Sequence, residues 1–523
     1  MAKGIASISC ELIDGAPLES ILVHQALNQH WTCEIVCRQS GDAPFSPDKF
    51  LGQDLKVNAT DEDGATTVLF DGFVIDFKLE YGIYGTYRAT IRGITRTWKM
   101  SLTPRHAYYK EKTLSDIAPV MAGRVGLSST VNAPARRALR YMQWAESDFD
   151  FLLRVINDYG CWLRPTGPGF EVQQAFQATT TLQWRQERGL MTFQTEGTLA
   201  PTSFGGAHYN FHEMRSKTWT NVQSDPSFSG AVGSLVGTVR DNCAKLPAGY
   251  VAERSRVVKL DEFENLLKDA SVRSLGSRVT ASGESLEPKL QPGDQIQIEG
   301  IEAQGAYGLT EVTHAWTSDG YRNVFRCTPW QNYTNPSPPL VNRCYGVVPG
   351  RVVEHDDPKK MGRIKIQFYW QEDAPTEWAR MMTPHAGGGR GFMFMPEKGD
   401  EVVVAFEDGD PERPVVLGCV WNGVDTAPRE TFWGDDIAPN DVKRVMTKSG
   451  TRFQMVDKEG KQSMMFSTPN SVRIALMESS NETHRETLLL HTDLGDIILS
   501  APNGRVHVHS KFYSREAGDH TPT

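Results

Sequence analysis

Two clusters of carboxylates are the groups in this chain that could most readily perform acid–base chemistry. They lie in two separate turns, with Glu354, Asp356 and Asp357 in the first and Glu407, Asp408 and Asp410 in the second. Paired carboxylates hydrolyse glycosidic bonds, one as general acid and the other as base or nucleophile. Both clusters lie between strand-like runs, so solvated hairpin tips are the favoured interpretation.

Two histidine pairs have spacings that could bind a metal ion. His208 and His212 are four residues apart, but the residues between them do not favour a helix, so a zinc site is not the favoured interpretation. On a strand, His507 and His509 would share one face. In a threefold assembly, three such pairs could bring six nitrogens to the axis, which suits an octahedral transition metal. The same alternation turns Arg505 and Lys511 inward, which is costly, so solvent-facing histidines are favoured.

The remaining motifs predict no catalytic, cofactor-binding or metal-binding residues. The glycine-rich run His385–Gly391 resembles a phosphate cradle only superficially, because Phe392–Met395 after it is typical of a strand. Cys33 and Cys37 belong to an apolar run and are predicted to be two buried thiols. The sequence contains no serine-hydrolase elbow, zinc-protease motif or nucleotide-binding loop of the usual pattern.

Composition narrows the class of protein. The 523 residues predict about three to four domains, and 39% apolar with 23% charged residues is typical of a globular chain. Lys and Arg (55) against Asp and Glu (64) give a net charge of −9, which opposes binding to nucleic acid. No run of 18 apolar residues and no signal peptide is recognisable, so we expect synthesis in the cytoplasm.

Strand-like runs dominate the first hundred residues and predict a mostly antiparallel barrel or sandwich. They are Trp31–Val36, Leu55–Val57, Val68–Phe77 and Tyr87–Ile94. Helical spacing then appears from Phe149 to Tyr159, with Ser147 as N-cap and Gly160 at the end. Further helices are predicted over Leu114–Met121 and from Phe263 to Gly276. The first 335 residues are therefore predicted to be α+β, with strands in the majority.

A linker-like segment at residues 332–340 separates this part from a block rich in short strands. The predicted strands, which suit a small closed barrel of the OB-fold type, are Gly346–Val353, Arg363–Tyr369, Trp378–Met381, Gly391–Met395, Glu401–Phe406 and Val415–Val420.

The last part, residues 445–513, consists of short alternating runs whose apolar residues are too few for a core within one chain. Copies of the same strands from other subunits would cover them. About twenty residues separate this part from the barrel and about ten follow it, so we expect neither an inserted nor a fused effector domain.

The barrel block resembles one known family closely. Residues 350–370, GRVVEHDDPKKMGRIKIQFYW, are followed by the family's characteristic positions, namely Trp378, Arg380, Gly391-Phe392, Pro396, Gly399-Asp400-Glu401-Val402, Gly409-Asp410-Pro411-Glu412-Arg413-Pro414 and Asn422-Gly423. This pattern resembles the VgrG spike proteins of type VI secretion systems and related extracellular contractile injection systems. The earlier part resembles the family's tail hub more loosely, through Glu146–Leu152 and Leu290–Phe325.

The resemblance implies a mainly β protein in three parts. These are a tail-hub-like α+β domain over residues 1–335 (two β-barrel subdomains with inserted helices), an OB-fold barrel over 340–425, and a trimeric, triple-stranded β-helix needle over 445–513. It implies a structural trimer that caps the inner tube, punctures a target membrane and carries effectors. An Hcp-like tube ring and the baseplate would bind at the hub end, and a PAAR-repeat tip protein at the needle end.

Two alternatives remain open. The first is a cell-wall or polysaccharide hydrolase that uses Glu354 or Glu407 of the acidic turns. The second is a nucleic-acid-binding barrel, which the negative charge disfavours. The resemblance also implies that the protein leaves the cytoplasm as part of the injection particle and is secreted or translocated into a target cell.

Overall fold

The computed structural model describes most of the chain. The described residues are 5–13, 17–40, 47–61, 64–134, 139–185, 189–228, 233–251, 260–371, 375–376, 378–428, 439–470, 472–478, 486–509 and 511. The chain divides into two compact units, Met1–Val420 and Trp421–Thr523. Each unit is described by itself.

The strands that precede the linker build most of the first unit. They are β1 (Ile5–Ser9), β2 (Leu18–Ala26), β3 (Thr32–Ser40), β4 (Asp54–Asp61), β5 (Thr66–Tyr81), β6 (Thr86–Ile94), β7 (Pro104–Lys112), β8 (Ser128–Asn132), β9 (Leu139–Ser147), β10 (Trp162–Pro165), β11 (Gly169–Gln173), β12 (Thr179–Gln183), β13 (Leu190–Gly197), β14 (Phe204–Asn210), β15 (Arg215–Val222), β16 (Gly249–Tyr250), β17 (Val279–Ser285), β18 (Gln295–Glu299), β19 (Gly305–Thr317) and β20 (Gly320–Thr328).

One large sheet connects strands from the start and the end of this part. Its order is β1-β4-β5-β6-β3-β2-β19-β20-β17-β13, with β18 pairing β19 and β12 pairing β18. The pairing of β2 with β19 joins residues almost 300 positions apart. Smaller sheets contain β10-β11-β8, β15-β14-β16 and β7-β9. The strands predicted over the first hundred residues are confirmed as β3 to β6, and the chain is mainly β as predicted.

Four α-helices are described, namely α1 (Leu114–Arg124), α2 (Asp148–Asp158), α3 (Gly233–Cys243) and α4 (Leu260–Gly276). Ser147 caps α2 by accepting a hydrogen bond from the Asp150 backbone N–H, and Gly160 after it has a φ of 65°, a conformation that favours glycine. Helices α1, α2 and α4 were predicted. Helix α3 was not, although Val236, Val239 and Cys243 are buried at helical spacing.

Short 3-10 turns complete the described elements, at Glu11–Ile13, Pro47–Lys49, Ile83–Gly85, Arg96–Ser101, Glu407–Gly409 and Pro439–Asp441. Among the described residues, no helix has both the length and the apolar composition needed to cross a bilayer.

The barrel follows the linker and belongs to the same compact unit. Its strands are β21 (Val348–Glu354), β22 (Lys365–Phe368), β23 (Arg380–Met381), β24 (Ala386–Gly387), β25 (Arg390–Gly391), β26 (Glu401–Phe406) and β27 (Pro414–Cys419). Five of them pair in the order β22-β21-β26-β27-β23, and β24 pairs only with β25. Alternate residues of β22 and β26 point into a buried core that includes Ile366, Phe368, Val402 and Val404.

The prediction of a strand over Gly391–Met395 is wrong. Only Arg390 and Gly391 pair, in the tight hairpin with β24. Gly389 and Gly391 both have positive φ, and the Phe392 N–H donates to the His385 carbonyl at 2.9 Å. This bond extends the hairpin by one step, and the strand of the hairpin ends at Gly391. The consecutive side chains of residues 392–394 are all exposed, without the alternating burial of a barrel strand.

The second unit contains an antiparallel meander in which each strand pairs with the next. Its strands are β28 (Val442–Met446), β29 (Arg452–Val456), β30 (Ser463–Ser467), β31 (Arg473–Met477) and β32 (Thr487–His491). These strands pair within the chain, and the described residues from Thr492 to His509 carry no strand. The triple-stranded β-helix, like the three domain boundaries, stays a prediction.

Candidate functional site: barrel carboxylates, hub–barrel junction and apolar face

The first acidic turn is held together by ion pairs. Lys398 donates to Glu354 at 2.8 Å, and this hydrogen bond, with backbone donors from the turn, lowers the pKa of Glu354 to about 2. The guanidinium of Arg363 donates to both oxygens of buried Asp357 at 2.6 and 3.0 Å, which holds the pKa of that carboxyl well below its usual range. Asp356 is exposed. A general acid needs a raised pKa, so these groups are poorly suited to that role.

The second acidic turn is also built from pairs. Glu407 contacts the guanidiniums of both Arg380 and Arg413. Asp408 pairs with Arg343, while Asp410 accepts a hydrogen bond from the Glu412 backbone N–H at 3.0 Å. The sequence predicted solvated hairpin tips. Asp408 is exposed as expected, but Glu407 is only 22% exposed and paired, and Asp357 of the first turn is buried.

The other candidate groups lie apart from one another. His208 is buried on β14 and stacks on Phe263, whereas His212 lies in the following turn, so the two do not share a helical face. His507 and His509 are both exposed, with nearly parallel rings 6.2 Å apart. Among the described residues, no group of three or more His, Cys, Asp or Glu could hold a metal ion. Cys33 and Cys37 are buried free thiols.

A buried ionic cluster joins two parts of the first unit. One is formed by the strands and helices from β1 to β20 and is called the hub below, and the other is the barrel of β21 to β27. Arg154 of α2 donates to Glu146 at 3.0 Å and lies 3.5 Å from Glu412 of the barrel. All three side chains are at most 4% exposed. Burial raises the pKa of Glu146, and Arg154 opposes that shift. A charge buried this deeply requires its partner, so this hub–barrel junction orients the two parts relative to each other.

Aromatic packing surrounds the same junction. Trp144 of β9 lies 5.3 Å from the ring of Phe406 and 5.8 Å from that of Trp370, and these two rings belong to the barrel. Met142, two residues earlier, is part of the buried barrel core. The hub–barrel junction therefore continues the core of the barrel into the hub. Sequence reasoning missed it, because no local pattern relates Arg154 to Glu412, 258 positions away.

In the meander of the second unit, by contrast, apolar side chains are exposed. Its pairing registers align two rows of apolar side chains on one side of the sheet, called the apolar face below: Val445, Phe453, Phe466, Ile474 and Leu490 in one row, and Met455, Met464, Leu476 and Leu488 in the other. All but Phe453 and Met455 are exposed, and Leu488 is 65% exposed. A soluble chain rarely leaves a contiguous apolar surface of this kind uncovered.

Comparison with known proteins identifies both parts of the first unit. Residues 24–320 match the family model described as phage tail baseplate hub (GPD). Residues 348–421 match the model described as type VI secretion system/phage-baseplate injector OB domain.

Two relatives from Pseudomonas aeruginosa are type VI secretion system spike proteins. VgrG1b is 30% identical over 77% of this chain and 58% of its own length, and VgrG1a is 32% identical over 73% and 64%. The chain thus spans less than two thirds of the length of these relatives.

Among solved structures, the Francisella PdpA–VgrG complex, lidded, aligns with a TM-score of 0.59 at 8% identity, covering 91% of this chain and 76% of that one. This likeness concerns the fold. The hub model alone matches more than half of the chain, and the OB model matches the barrel. The chain therefore belongs to the phage tail baseplate hub family and, within it, to the VgrG spike proteins.

Proposed function

We propose that the protein is the structural, homotrimeric hub and spike of a contractile injection machine. In this role it caps the inner tube, punctures the target membrane and carries a tip protein and effectors. The observation that carries the proposal is the apolar face of the meander, which the chain itself leaves exposed. Two further copies of the chain would cover it symmetrically and leave no open site for continued growth.

The magnitude of this burial favours association. Of the ten positions expected to be uncovered in a single copy, Phe453 and Met455 are half-buried, and the other eight are exposed, namely Met464, Phe466, Leu488, Leu490, Ile497, Leu499, Val506 and Val508. At about 1.5 to 3 kcal/mol for each large side chain, these eight amount to about 12 to 24 kcal/mol per chain when fully buried. Ordering entropy offsets much of this. The surplus favours a prism of strands with its apolar residues on the threefold axis.

A matched pair of substitutions tests the proposal. Leu490 and Met446 lie on the two edge strands and are 42% and 44% exposed, but on opposite sides of the sheet. Leu490→Asp should reduce the mass measured by light scattering at micromolar concentration, whereas Met446→Asp should not. Equal masses for both variants and the unmodified trimer would contradict the assignment of the apolar face.

A structural role without catalysis fits the acidic turns. The hydrolase alternative requires a carboxyl that holds a proton near neutral pH, and the pKa values of Glu354 and Asp357 are lowered instead. Glu354→Gln and Glu407→Gln should therefore leave the particle's infectivity or secretion unchanged. Loss of a peptidoglycan-degrading activity in either variant would revive the alternative.

The partners are proposed from the family. An Hcp-like tube ring and the baseplate would dock at the hub end, and a PAAR-repeat tip protein at the needle end. The PdpA–VgrG complex, in which a protein of this fold was solved with a partner, supports partner binding in general. Deleting residues 505–523 should abolish co-purification of the tip protein while the hub still assembles. We also propose that the protein is made in the cytoplasm and leaves it with the particle.

A further inference from the structure

An arm of the barrel extends away from the barrel core between β23 and β26. It consists of residues 382–394, which include the hairpin of β24 and β25, and is called the barrel arm below. The Phe392 N–H donates to the His385 carbonyl at 2.9 Å, and the Thr383 hydroxyl donates to the Phe392 carbonyl at 2.7 Å. Every residue from 384 to 394 is nonetheless exposed. The barrel arm therefore has a defined backbone, but its own chain covers few of its side chains.

Large apolar side chains are concentrated on the barrel arm. Phe392, Met393 and Phe394 are consecutive and are 56%, 84% and 61% exposed, and Met382 at the other end of the arm is 57% exposed. The rings of Phe392 and Phe394 lie 6.3 Å apart, centre to centre, so they share one side of the segment. Met393 between them is the most exposed of the three. A single flat surface covers one side of such a segment, whereas an apolar medium that surrounds the segment covers all three side chains.

The permanent charge of the barrel arm is of one sign. From Met382 to Pro396 the sequence contains no Asp or Glu, and Arg390 is its one Lys or Arg. Arg390 is exposed, and no ion pair involving it occurs among the described residues. Lys398, which follows the arm, is paired with Glu354 at 2.8 Å. The arm thus presents an uncompensated positive charge beside its aromatic rings, although the chain as a whole carries a net charge of −9.

We propose that the barrel arm binds the surface of a lipid bilayer that contains anionic lipids. Phe392, Met393 and Phe394 enter the boundary between headgroups and acyl chains, where their apolar surface leaves water and the backbone still finds polar partners. Arg390 lies among the headgroups, whose negative charge attracts it. The inference goes beyond the hub-and-spike role, because the arm belongs to the first unit and needs neither the needle nor a trimer to reach a bilayer.

Flotation of the full chain with vesicles tests the proposal. At about 1 mM accessible lipid, about half of the protein or more should float, which corresponds to a partition coefficient of at least about 10³ M⁻¹, a tenth of that of a single myristoyl chain. These vesicles consist of phosphatidylcholine with about 30% phosphatidylserine. Vesicles of phosphatidylcholine alone should bind about fivefold more weakly, because the attraction between Arg390 and anionic headgroups is lost. Absence of flotation with the anionic vesicles would overturn the proposal without any variant.

Variants then locate the binding surface. Phe392→Ser combined with Phe394→Ser should lower the partition coefficient at least about tenfold, because two aromatic side chains are removed. The matched control is Tyr81→Ser combined with Ile83→Ser, which removes side chains that are 75% and 77% exposed at the turn between β5 and β6. Its partition coefficient should be unchanged. Equal flotation of the arm variant and the unmodified protein, or an equal loss in the control, would refute the assignment to the barrel arm.

A second copy of the chain is the other occupant that the test separates from lipid. If a neighbouring copy covered the barrel arm, the Phe392 and Phe394 double variant would have a lower mass by light scattering than the unmodified protein, and that result would overturn the lipid assignment. We expect the same mass for both. Arg390→Gln changes one exposed side chain and keeps the test decisive if the double variant does not fold. It should bind anionic vesicles about fivefold more weakly and bind phosphatidylcholine vesicles unchanged. Unchanged binding to the anionic vesicles would contradict the role of Arg390.

Discussion

The hub–barrel junction and the apolar face of the meander differ in how far the chain itself covers their side chains. At the junction, Arg154, Glu146 and Glu412 are buried together, and Trp144 packs on barrel rings. In the meander, each strand from β28 to β32 pairs with the next, yet one side of the sheet remains largely exposed.

This difference shows which parts of the molecule can be understood from one chain. The junction needs nothing from outside, because charges and rings from distant positions in the sequence complete one another. In the meander the strands pair through their backbones, but the apolar side chains of one face are not covered. Strands of about five residues in a single layer are too short to enclose these side chains by themselves. The first region is therefore expected to respond to mutation as a folded interior, and the second as an interface.

The largest effect is expected at the junction. Arg154→Ala would leave the carboxylates of Glu146 and Glu412 buried without their guanidinium, at a cost of about 3–5 kcal/mol in the free energy of unfolding. Chemical denaturation of the full chain measures this loss. A change below about 1 kcal/mol would mean that the cluster is solvated and the junction is not an interior.

A smaller effect on folding, but a clear effect on assembly, is expected on the apolar face. Phe466 stacks on Phe453 with ring centres 4.6 Å apart and is half exposed in one chain. Phe466→Ser should weaken association by about 1.5–3 kcal/mol per chain, measured by the concentration at which the oligomer dissociates. If the variant instead lost hub stability and kept its mass, the comparison between the two regions would fail.

The barrel should show a defined response to acid. Because the pKa of Asp357 lies well below its unfolded value of about 3.9, its ion pair contributes stability above that pH and loses it as the pH falls further. Asp357→Asn should lower the melting temperature at pH 7 and flatten its decline below pH 4. Asp356→Asn, one residue away and exposed, is the matched control and should follow the unmodified protein.

The smallest effect is expected on the outer face of the large sheet. Arg92 pairs with Glu34 at 2.8 Å and with Asp76 at 2.9 Å, but these side chains are roughly half exposed. Arg92→Ala should lower the free energy of unfolding far less than Arg154→Ala does, because solvent screens an exposed ion pair. Compared with Arg154→Ala by the same denaturation method, it separates a surface ion pair from a buried one. Equal losses in both variants would remove that distinction.

Local patterns predicted the elements of the fold well. Ser147, Asp150 and Gly160 mark both ends of α2, and β-branched and aromatic runs mark β3 to β6. The pattern failed at Phe392–Met395, where composition favours a strand but the short glycine hairpin ends at Gly391 and the side chains of residues 392–394 face solvent. Long-range pairs such as Arg154 with Glu412 were beyond prediction, because their proximity depends on the fold of both parts. The exposed apolar face was predictable, since it depends only on strand alternation and the small number of apolar residues.

Whether copies of this chain cover the apolar face is decided by the mass of the unmodified full chain in solution. Sedimentation equilibrium over a dilution series from about 10 to 0.1 μM covers the range in which stable oligomers persist. If copies cover the apolar face as a trimer, the measured mass should be three times the chain mass across most of that series. A monomer at every concentration, with residues 442–491 protected from hydrogen exchange, would contradict it.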